Sequence, residues 1–483
     1  MIQNDPVLTA VVLYLSLLVL IGVWRSRRIR TGDDFLVAGR RRPARLQVLT
    51  LRATRVGKGS QVGGARQGYR SGFSALWQSA GAWVGIALVY FIAPRVRRIA
   101  QYTVPDILEL RYGWAARVLG TITTVFAYGT IAAYQFRGGG RLLELVAGID
   151  PGTGALATAI FCIVFTSLAG MLSIAYIDVG NGLVMTIAVT LGVAFLVNDA
   201  GGLGASIARL EPHQVSLFGD IGPQAAFALF LPTMFLLLGE ANMYQKFFSA
   251  RDERAARLAV VGWIAGTIVV ETLIDSTGIF GSLRIAGLDT AASEAIVIQV
   301  ATDVLPPALG VLLVCGAAAI VVSTANSFLL TPSTNLIRDV YQRFINPAVT
   351  DRQVVVYTRL IVVAVGALGY YVGNFFPSIL AMALWAYTMY GAGITPALLG
   401  ALLWKRATRA GGVASILAGM STTLVWEIIG LVRAVDGEPA YLFGWQTAYP
   451  ALALSIATLI VVSLLTPPPT RAEVELSAAP VSS

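Results

Sequence analysis

Acidic side chains occur inside or at the start of several apolar stretches of this sequence. Glu240, Glu271 and Asp275 lie within such stretches, and Asp178 begins another. A charge at bilayer depth costs on the order of several kcal/mol unless it is paired or hydrated, so acids there are candidates for binding an ion, a proton or a solute. Glu271 and Asp275 are four residues apart and share one helix face. For this pair, a structural ion pair with nearby cations remains an equal alternative.

Cations are concentrated in one apolar stretch, residues 46–72, which also holds four glycines within eight residues. Each glycine weakens a helix by about 1 kcal/mol relative to alanine, so this helix is predicted to unwind. Irregular backbone at membrane depth survives only against protein or a watery cavity. Arg55, Lys58 and Gln61 are therefore candidates for contacting a solute. The alternative is that the glycines only allow close helix packing.

A second interruption is predicted in residues 224–247, where Pro232, Gly239, Glu240 and Asn242 follow one another closely. The two interrupted stretches stand five helices apart in the chain. Many secondary carriers consist of two inverted five-helix repeats, each opening with a broken helix, and bind substrate at the breaks. This spacing predicts the same arrangement and makes Glu240 a substrate-facing candidate.

Membrane helices must carry these residues. The chain has 483 residues, of which 56% are hydrophobic and 13% charged, whereas soluble domains average about 25% charged residues. A membrane helix needs about 20 mostly apolar residues. Thirteen stretches fit: 7–24, 46–72, 73–93, 117–147, 152–172, 178–198, 224–247, 258–282, 308–341, 353–374, 377–404, 411–432 and 447–466. The sequence therefore predicts an all-α membrane protein with about 13 transmembrane helices.

Basic residues divide unevenly between the connections. With the N-terminus outside, 25 of the 35 fall on the cytoplasmic side, and only Arg209, Arg284 and Arg433 fall outside. This is the asymmetry of the positive-inside rule. It predicts a multi-pass protein of the cell membrane with a cytoplasmic C-terminus. Residues 1–466 are expected to form one transmembrane domain with its core at about 46–404, and the polar, proline-rich residues 467–483 a disordered cytoplasmic tail.

Several function classes are disfavoured. The net charge of +9 follows from topology, so no nucleic-acid partner is expected. Cys162 and Cys315 sit in apolar runs and His213 is the single histidine, which favours neither a disulfide framework nor a metal cluster. No nucleophile–base–acid set is present, so no catalytic residue and no enzyme activity are predicted.

Six segments carry a family resemblance. They are DDFLVAGRR at 33–41, IAPRVRRIAQYTVPDILELRYG at 92–113, AYIDVGNG at 175–182, GEANMYQKFFSARDERAAR at 239–257, STANSFLLTPSTNLIRDVY at 323–341 and TPALLGALLWKRATRAGGVASILAG at 395–419. In this order they resemble the sodium/solute symporter family. The resemblance implies a 5+5 inverted-repeat core of helices 2–11, with helices 2 and 7 discontinuous. It also implies a secondary active transporter that moves a small solute together with sodium by alternating access.

The resemblance also implies a sodium site. Ser323 and Thr324 would supply hydroxyl oxygens, and the carbonyls of Ile320, Ala53 and Val56 would complete the shell. Further solute-pocket candidates are polar or aromatic residues within other helices. They are Gln135, Trp385, Tyr387 and Tyr390.

Alternatives remain open because Arg55 and Lys58 lie beside the implied sodium site. Unit charges about 4 Å apart repel by about 4 kcal/mol at an effective dielectric of 20, which equals the binding energy of a site with a dissociation constant of about 1 mM. One alternative is a sodium-independent carrier, proton-linked or uncoupled, of an anionic solute. An alternative of another class is a transporter-like solute sensor. Fold does not select among sugars, amino acids, vitamins and carboxylates as the solute.

Overall fold

The computed structural model describes residues 5–26, 63–99, 103–248, 252–435 and 439–470. Eleven helices in these ranges are long and apolar enough to cross a membrane, and α1 (Asp5–Ser26) carries a shorter apolar stretch. One of the eleven, Ala65–Ile99, divides into α2 (Ala65–Ser71) and α3 (Leu76–Ile99) around a 3-10 turn. The described ranges therefore hold eleven helices that could span a membrane and the shorter apolar stretch of α1, and most of the predicted second span, 46–72, lies outside them.

The remaining spanning helices are numbered in chain order, and the short connecting helices are left unnumbered. They are α4 (Trp114–Ala147), α5 (Pro151–Gly170), α6 (Ile177–Asp199), α7 (Gly222–Gln245), α8 (Glu253–Gly281), α9 (Pro307–Ile345), α10 (Asp351–Gly373), α11 (Ile379–Leu403), α12 (Arg409–Val432) and α13 (Ala448–Leu465).

Glycines set two of the boundaries. Gly170, with φ of 60°, kinks the chain between α5 and α6. Gly72, with φ of 64°, ends α2 where a Cβ would lie 2.2 Å from the carbonyl oxygen of Gln214. Only glycine tolerates such left-handed backbone without strain, and only glycine fits that approach.

The predicted break in the seventh helix is present. Its first half, Gly222–Gly239, ends at Glu240, which has extended backbone angles (φ −61°, ψ 116°), and its second half, Ala241–Phe248, begins at once. The predicted unwinding of the second helix falls on residues 46–62, which lie outside the described residues.

The described helices pack as two groups. In one, α3 contacts α7 and α8, and α2 contacts α8. In the other, α4 contacts α9 and α10, and α9 contacts α10 and the α5–α6 pair. When helices α2–α6 are matched in order with α7–α11, several contacts in one half have a counterpart in the other. The contact of α2 with α8 matches that of α7 with α3, and the contact of α4 with α10 matches that of α9 with α5. This pairing is the one an inverted repeat produces. The α12–α13 pair packs on α11 outside this core.

A buried ionic cluster joins α4 to α9. One Arg117 nitrogen lies 2.6 Å from Asp106 and 2.7 Å from Asp339, and another contacts Glu109. Asp339 is fully buried and also accepts from the hydroxyl of Thr103 at 3.0 Å. Asp106 and Glu109 belong to the connecting helix Val104–Tyr112, which begins with a capping box formed by Thr103 and Asp106. The cluster fixes this connecting helix and the end of α9 against the start of α4.

Candidate functional site

Tyrosines support the break in α7. The hydroxyl of Tyr390, on α11, donates to the carbonyl of Gly239 at 2.9 Å, and the amide of Ala241 donates to the hydroxyl of Tyr128, on α4, at 3.0 Å. The two tyrosine rings stack with centroids 5.1 Å apart. Backbone groups released by a helix break inside a membrane must find such partners. The interruption is therefore a built feature of the fold.

A central cavity lies beside this break, between α3, α4, α7, α8, α9 and α11. Its volume is about 20 Å³, which is room for roughly one water molecule. Polar and apolar side chains both line it. They are Gln78, Ser79, Ala82, Tyr134, Thr233, Leu236, Leu237, Glu240, Thr267, Glu271, Phe328 and Tyr387.

The polar wall of the cavity carries oxygen atoms on every side. The hydroxyls of Tyr134 and Tyr387 lie 3.2 Å apart. Gln78 and Thr267 are each 4% exposed, and the side-chain oxygen of each has no hydrogen-bond partner in the described part of the chain. Buried polar atoms usually have hydrogen-bond partners, so these two oxygens are available to a polar group inside the cavity. The cavity is therefore equipped to hold a small polar species.

The structure brings only some of the sequence-predicted solute residues to this cavity. Glu240, Glu271 and Tyr387 line it, whereas Tyr390 supports the helix break behind it. Gln135 is buried but does not line the cavity, and its neighbour on α4 does so instead. Arg55, Lys58 and Gln61 lie outside the described residues.

Trp385 lines a wider cavity of about 540 Å³ beside the first half of α7. Arg66 and Thr388 share this wall, and the segment before α13 closes the other side. Arg66, one of the cations within residues 46–72, lies 3.7 Å from the carboxylate of Glu294 and is therefore paired with an acid. The wider cavity and the central cavity both border α7 and α11.

A third cavity, of about 240 Å³, lies where α4, α5 and α10 meet, and it is lined by Arg137 and Arg141, the two cations of α4 besides Arg117. Arg137 donates to the carbonyl of Phe376 at 2.9 Å, and Arg141 pairs with Glu144 at 2.8 Å.

Sequence reasoning missed Tyr134, Gln78 and Thr267 as cavity residues. Gln78 offered a signal, because it is an amide in an otherwise apolar stretch. Tyr134 and Thr267 offered none, because tyrosines and threonines are common in packed membrane helices.

The α6–α9 interface holds the candidate ion site. The Ser323 hydroxyl donates to the Asp178 carboxylate, and both residues are buried. Next to them, Asn181 donates to the carbonyl of Ala319 at 3.1 Å. Thr324 and Ile320, each 2% exposed, lie on the same helix as Ser323. Ala53 and Val56, the other predicted ligands, lie outside the described residues.

The chemistry of this interface suits a hard cation. A carboxylate and hydroxyls offer only oxygen, the ligand such cations prefer. The structure thus brings Asp178, which sequence reasoning placed in a separate group, into contact with the predicted sodium ligand Ser323. Two of the residues that the sequence singles out therefore meet at one buried interface.

A broken helix, repeat-like packing and a buried cavity beside the break define a secondary transporter of the inverted-repeat class. A model of the sodium:solute symporter family matches residues 35–419. The chain belongs to the sodium:solute symporter family, and it is a multi-pass membrane transporter that couples solute movement to sodium.

Curated relatives support this assignment along the chain. The high-affinity proline transporter PutP of Bacillus subtilis (strain 168) is 25% identical over 474 residues, which cover 94% of this chain and 97% of that protein. The sodium/pantothenate symporter of Escherichia coli (strain K12) is 29% identical over 355 residues, covering 69% of this chain and 72% of that protein.

Solved structures show the same fold. A Na⁺-coupled sialic acid symporter in a substrate-bound, outward-open state has a TM-score of 0.73 at 16% identity, with 96% of this chain and 99% of that chain covered. The nucleobase-cation-symport transporter Mhp1 in a closed conformation has a TM-score of 0.54 at 12% identity, with 89% and 95% covered. The predicted architecture is confirmed.

Proposed function

We propose that this protein is a carrier rather than an enzyme, with sodium bound between α6 and α9 and a small solute bound in the central cavity. The contact between Ser323 and Asp178 carries the proposal, because it places a carboxylate beside the hydroxyl that the family resemblance assigns to sodium. Ile320 and Thr324 stand within four residues on the same helix. Ala53 and Val56 would contribute carbonyls from the interrupted second helix.

Sodium binding at this interface would stabilise the contact between α6 and α9. A monovalent cation would take the Asp178 carboxylate and the Ser323 oxygen, whose proton now points to that carboxylate. The negative charge of Asp178 would also offset the repulsion expected from Arg55 and Lys58, which the family resemblance implies beside this site. Coupling would follow because the solute site adjoins α9 through Phe328.

The test is sodium-driven uptake into proteoliposomes. We expect uptake to require an inward sodium gradient and to fall at least tenfold in Ser323→Ala, Thr324→Ala and Asp178→Asn. Ser421→Ala is the matched control, because this exposed serine on α12 donates to its own helix at Leu417. Equal uptake with and without sodium would reject sodium coupling and favour the proton-linked or uncoupled alternative. Solute binding without flux would favour a sensor.

For the solute, we propose a small organic molecule that bears a carboxylate. Proline, pantothenate and sialic acid, named for the relatives and the structural neighbour, share this group. A carboxylate would suit Arg55 and Lys58, and the polar wall at Tyr134 and Tyr387 would take hydroxyl or amide groups. The test measures uptake of labelled L-proline, pantothenate and sialic acid and compares each with uptake of an uncharged sugar. Transport of the sugar alone would contradict the proposed class.

We also propose that the N-terminus faces outward and the C-terminus the cytoplasm, on the strength of the basic-residue asymmetry. Ser216 and Ala348 are exposed in connections predicted to lie on opposite sides. In intact cells, a membrane-impermeant maleimide should label Ser216→Cys and spare Ala348→Cys. The reverse pattern would invert the orientation.

A further inference from the structure

Asp275, on α8, is a fully buried acid that the proposed transport mechanism does not use. The hydroxyl of Ser79, on α3, donates to its Oδ2 at 2.6 Å. Its Oδ1 is buried and has no hydrogen-bond partner among the described residues. On the α2 side, a Cβ added to Gly68 would lie 2.6 Å from the Asp275 carbonyl oxygen, so the backbones nearly touch. The carboxyl group is sealed between three helices.

The elements packed on Asp275 bring few charges. On α8 itself, Glu271 lies one turn away and lines the central cavity. On α2, Arg66 lies 3.7 Å from Glu294, and Arg70 is exposed.

Within the part of the chain that the structure describes, the remaining neighbours of α8 add no charge near this carboxyl. Tyr69, on α2, is uncharged, and its hydroxyl accepts from the amide of Leu288 at 3.0 Å. On the α3 side, Gln78 and Ser79 are polar but uncharged. The sequence of α6 has no charged residue between Asp178 and Asp199, and the 3-10 turn Gly72–Ala75 and the short helix Ile296–Gln299 have none.

An ionised carboxylate with no counter-charge among the described residues and with one oxygen unsatisfied would be far costlier than the neutral acid. We propose that Asp275 is a proton-binding site that exchanges its proton with the central cavity through Ser79. The proposal rests on the proposed function to the extent that this cavity is the transport site.

Ser79 gives the path. It lines the central cavity and also contacts Asp275. A hydroxyl both donates and accepts a proton. When the cavity is hydrated, a hydronium ion gives its proton to Ser79 Oγ and leaves as water, while the original Ser79 hydroxyl proton passes to Asp275 Oδ2. The reverse sequence returns the proton to the cavity and leaves a carboxylate.

A sodium ion fits Asp275 less well than a proton. A hard cation takes about six or more oxygens, and Ser79 is the only described hydrogen-bonding partner of this carboxyl. The Asp178–Ser323 interface offers the richer oxygen set. Because the proton enters from the same cavity as the solute, its exchange would occur only in states that hydrate the cavity. Transport would thereby become linked to the pH on the side that is open.

Infrared spectroscopy of the purified full-length protein in lipid nanodiscs tests the site without any solute. Near neutral pH we expect the C=O stretching band of a protonated carboxyl, which shifts on ¹³C-aspartate labelling and disappears in Asp275→Asn. The isotope shift assigns the band to an aspartate but not to Asp275 alone, because Asp178 and Asp339 are also buried. Asp275→Glu, which keeps an acid at this position, should abolish the isotope shift of the band, so a misfolded Asp275→Asn protein would not block the test. Glu427→Gln is the control: this buried acid of α12 is bonded to Thr447 at 2.8 Å, outside the ten-helix core.

Proton exchange through Ser79 can be measured separately. In deuterated buffer the band should shift as the proton exchanges, and Ser79→Ala should slow this exchange at least tenfold while Ser79→Thr restores it. A purely structural role for Ser79 would leave the exchange rate unchanged. If Asp275→Asn removed the band of an ionised carboxylate instead of the C=O band of a protonated acid, the proton site would be overturned and a bound cation favoured. Because no solute is used, these results are independent of the uptake assay, whose failure would count against the proposed function alone.

Discussion

The hydroxyl of Tyr390 stabilises the backbone at the break in α7. The carbonyl of Gly239 lies at the end of the first half of α7 and has no helical partner, and the hydroxyl of Tyr390 donates a hydrogen bond to it. Tyr390 is itself fully buried, so no water would replace a lost hydroxyl. The phenol therefore has a structural task that its position in the sequence did not reveal, since it was a candidate for solute contact.

Replacing Tyr390 with phenylalanine removes this donor and keeps the aromatic ring. An unsatisfied buried acceptor costs about 1–3 kcal/mol, so we expect Tyr390→Phe to lower the free energy of unfolding by about that amount and to weaken solute binding. Tyr371→Phe is the control, because Tyr371 is 63% exposed. Thermal unfolding in detergent gives the comparison. If the two variants unfolded alike, the support of the break by Tyr390 would be refuted.

At the scale of elements, buried charge fixes the connecting helix Val104–Tyr112 and the end of α9 on α4. Arg117 serves three carboxylates, of which Asp339 is fully buried, whereas Arg343 reaches Glu109 at 3.0 Å with 57% of its side chain exposed. Removing one partner of a buried pair costs about 3–5 kcal/mol, and a surface pair is worth about 0–1 kcal/mol.

Arg117→Met should therefore destabilise the protein strongly and Arg343→Met hardly at all. The Arg117 variant leaves Asp339 and Asp106 close together without their cation, and we expect a marked fall in unfolding temperature and in membrane abundance. Both variants lose one positive charge, so net charge does not explain a difference. Similar unfolding temperatures for the two would show that the cluster contributes little.

The described helices and the break in α7 were predictable from sequence because each depends on local composition. The apolar runs define the spanning segments, and Gly239–Glu240 interrupts its run at the residue where α7 stops. The partners of each polar residue were harder to predict from sequence, because contact between Asp178 and Ser323 requires residues 145 positions apart to meet. Trp385 and Tyr387 stand two residues apart yet line different cavities. Such assignments depend on helix rotation and neighbours, which periodicity alone does not determine.

At the scale of the whole molecule, the small central cavity implies that the two helix groups must separate for a solute to enter. Alternating access then amounts to movement of α2, α3, α7 and α8 against α4, α5, α9 and α10. One contact between the groups lies on the side of the 246–257 connection. The Thr331 hydroxyl of α9 donates to Asn242 in the second half of α7, and both residues are buried.

Thr331→Val should weaken closure on that side, because it removes the donor while keeping the shape of the side chain. A cysteine at Ala82, a buried residue of the central cavity, reports access to water-soluble thiol reagents, and both native cysteines are buried. We expect Thr331→Val to raise labelling of Ala82→Cys from the side of the 246–257 connection, and added sodium to reduce it. Thr358→Val is the matched control, since this buried threonine of α10 donates to its own helix at Val354 with a distance of 2.7 Å. If both valine variants left labelling unchanged, the Thr331–Asn242 contact would not be part of the closure, and the barrier on that side would reside elsewhere between the two groups.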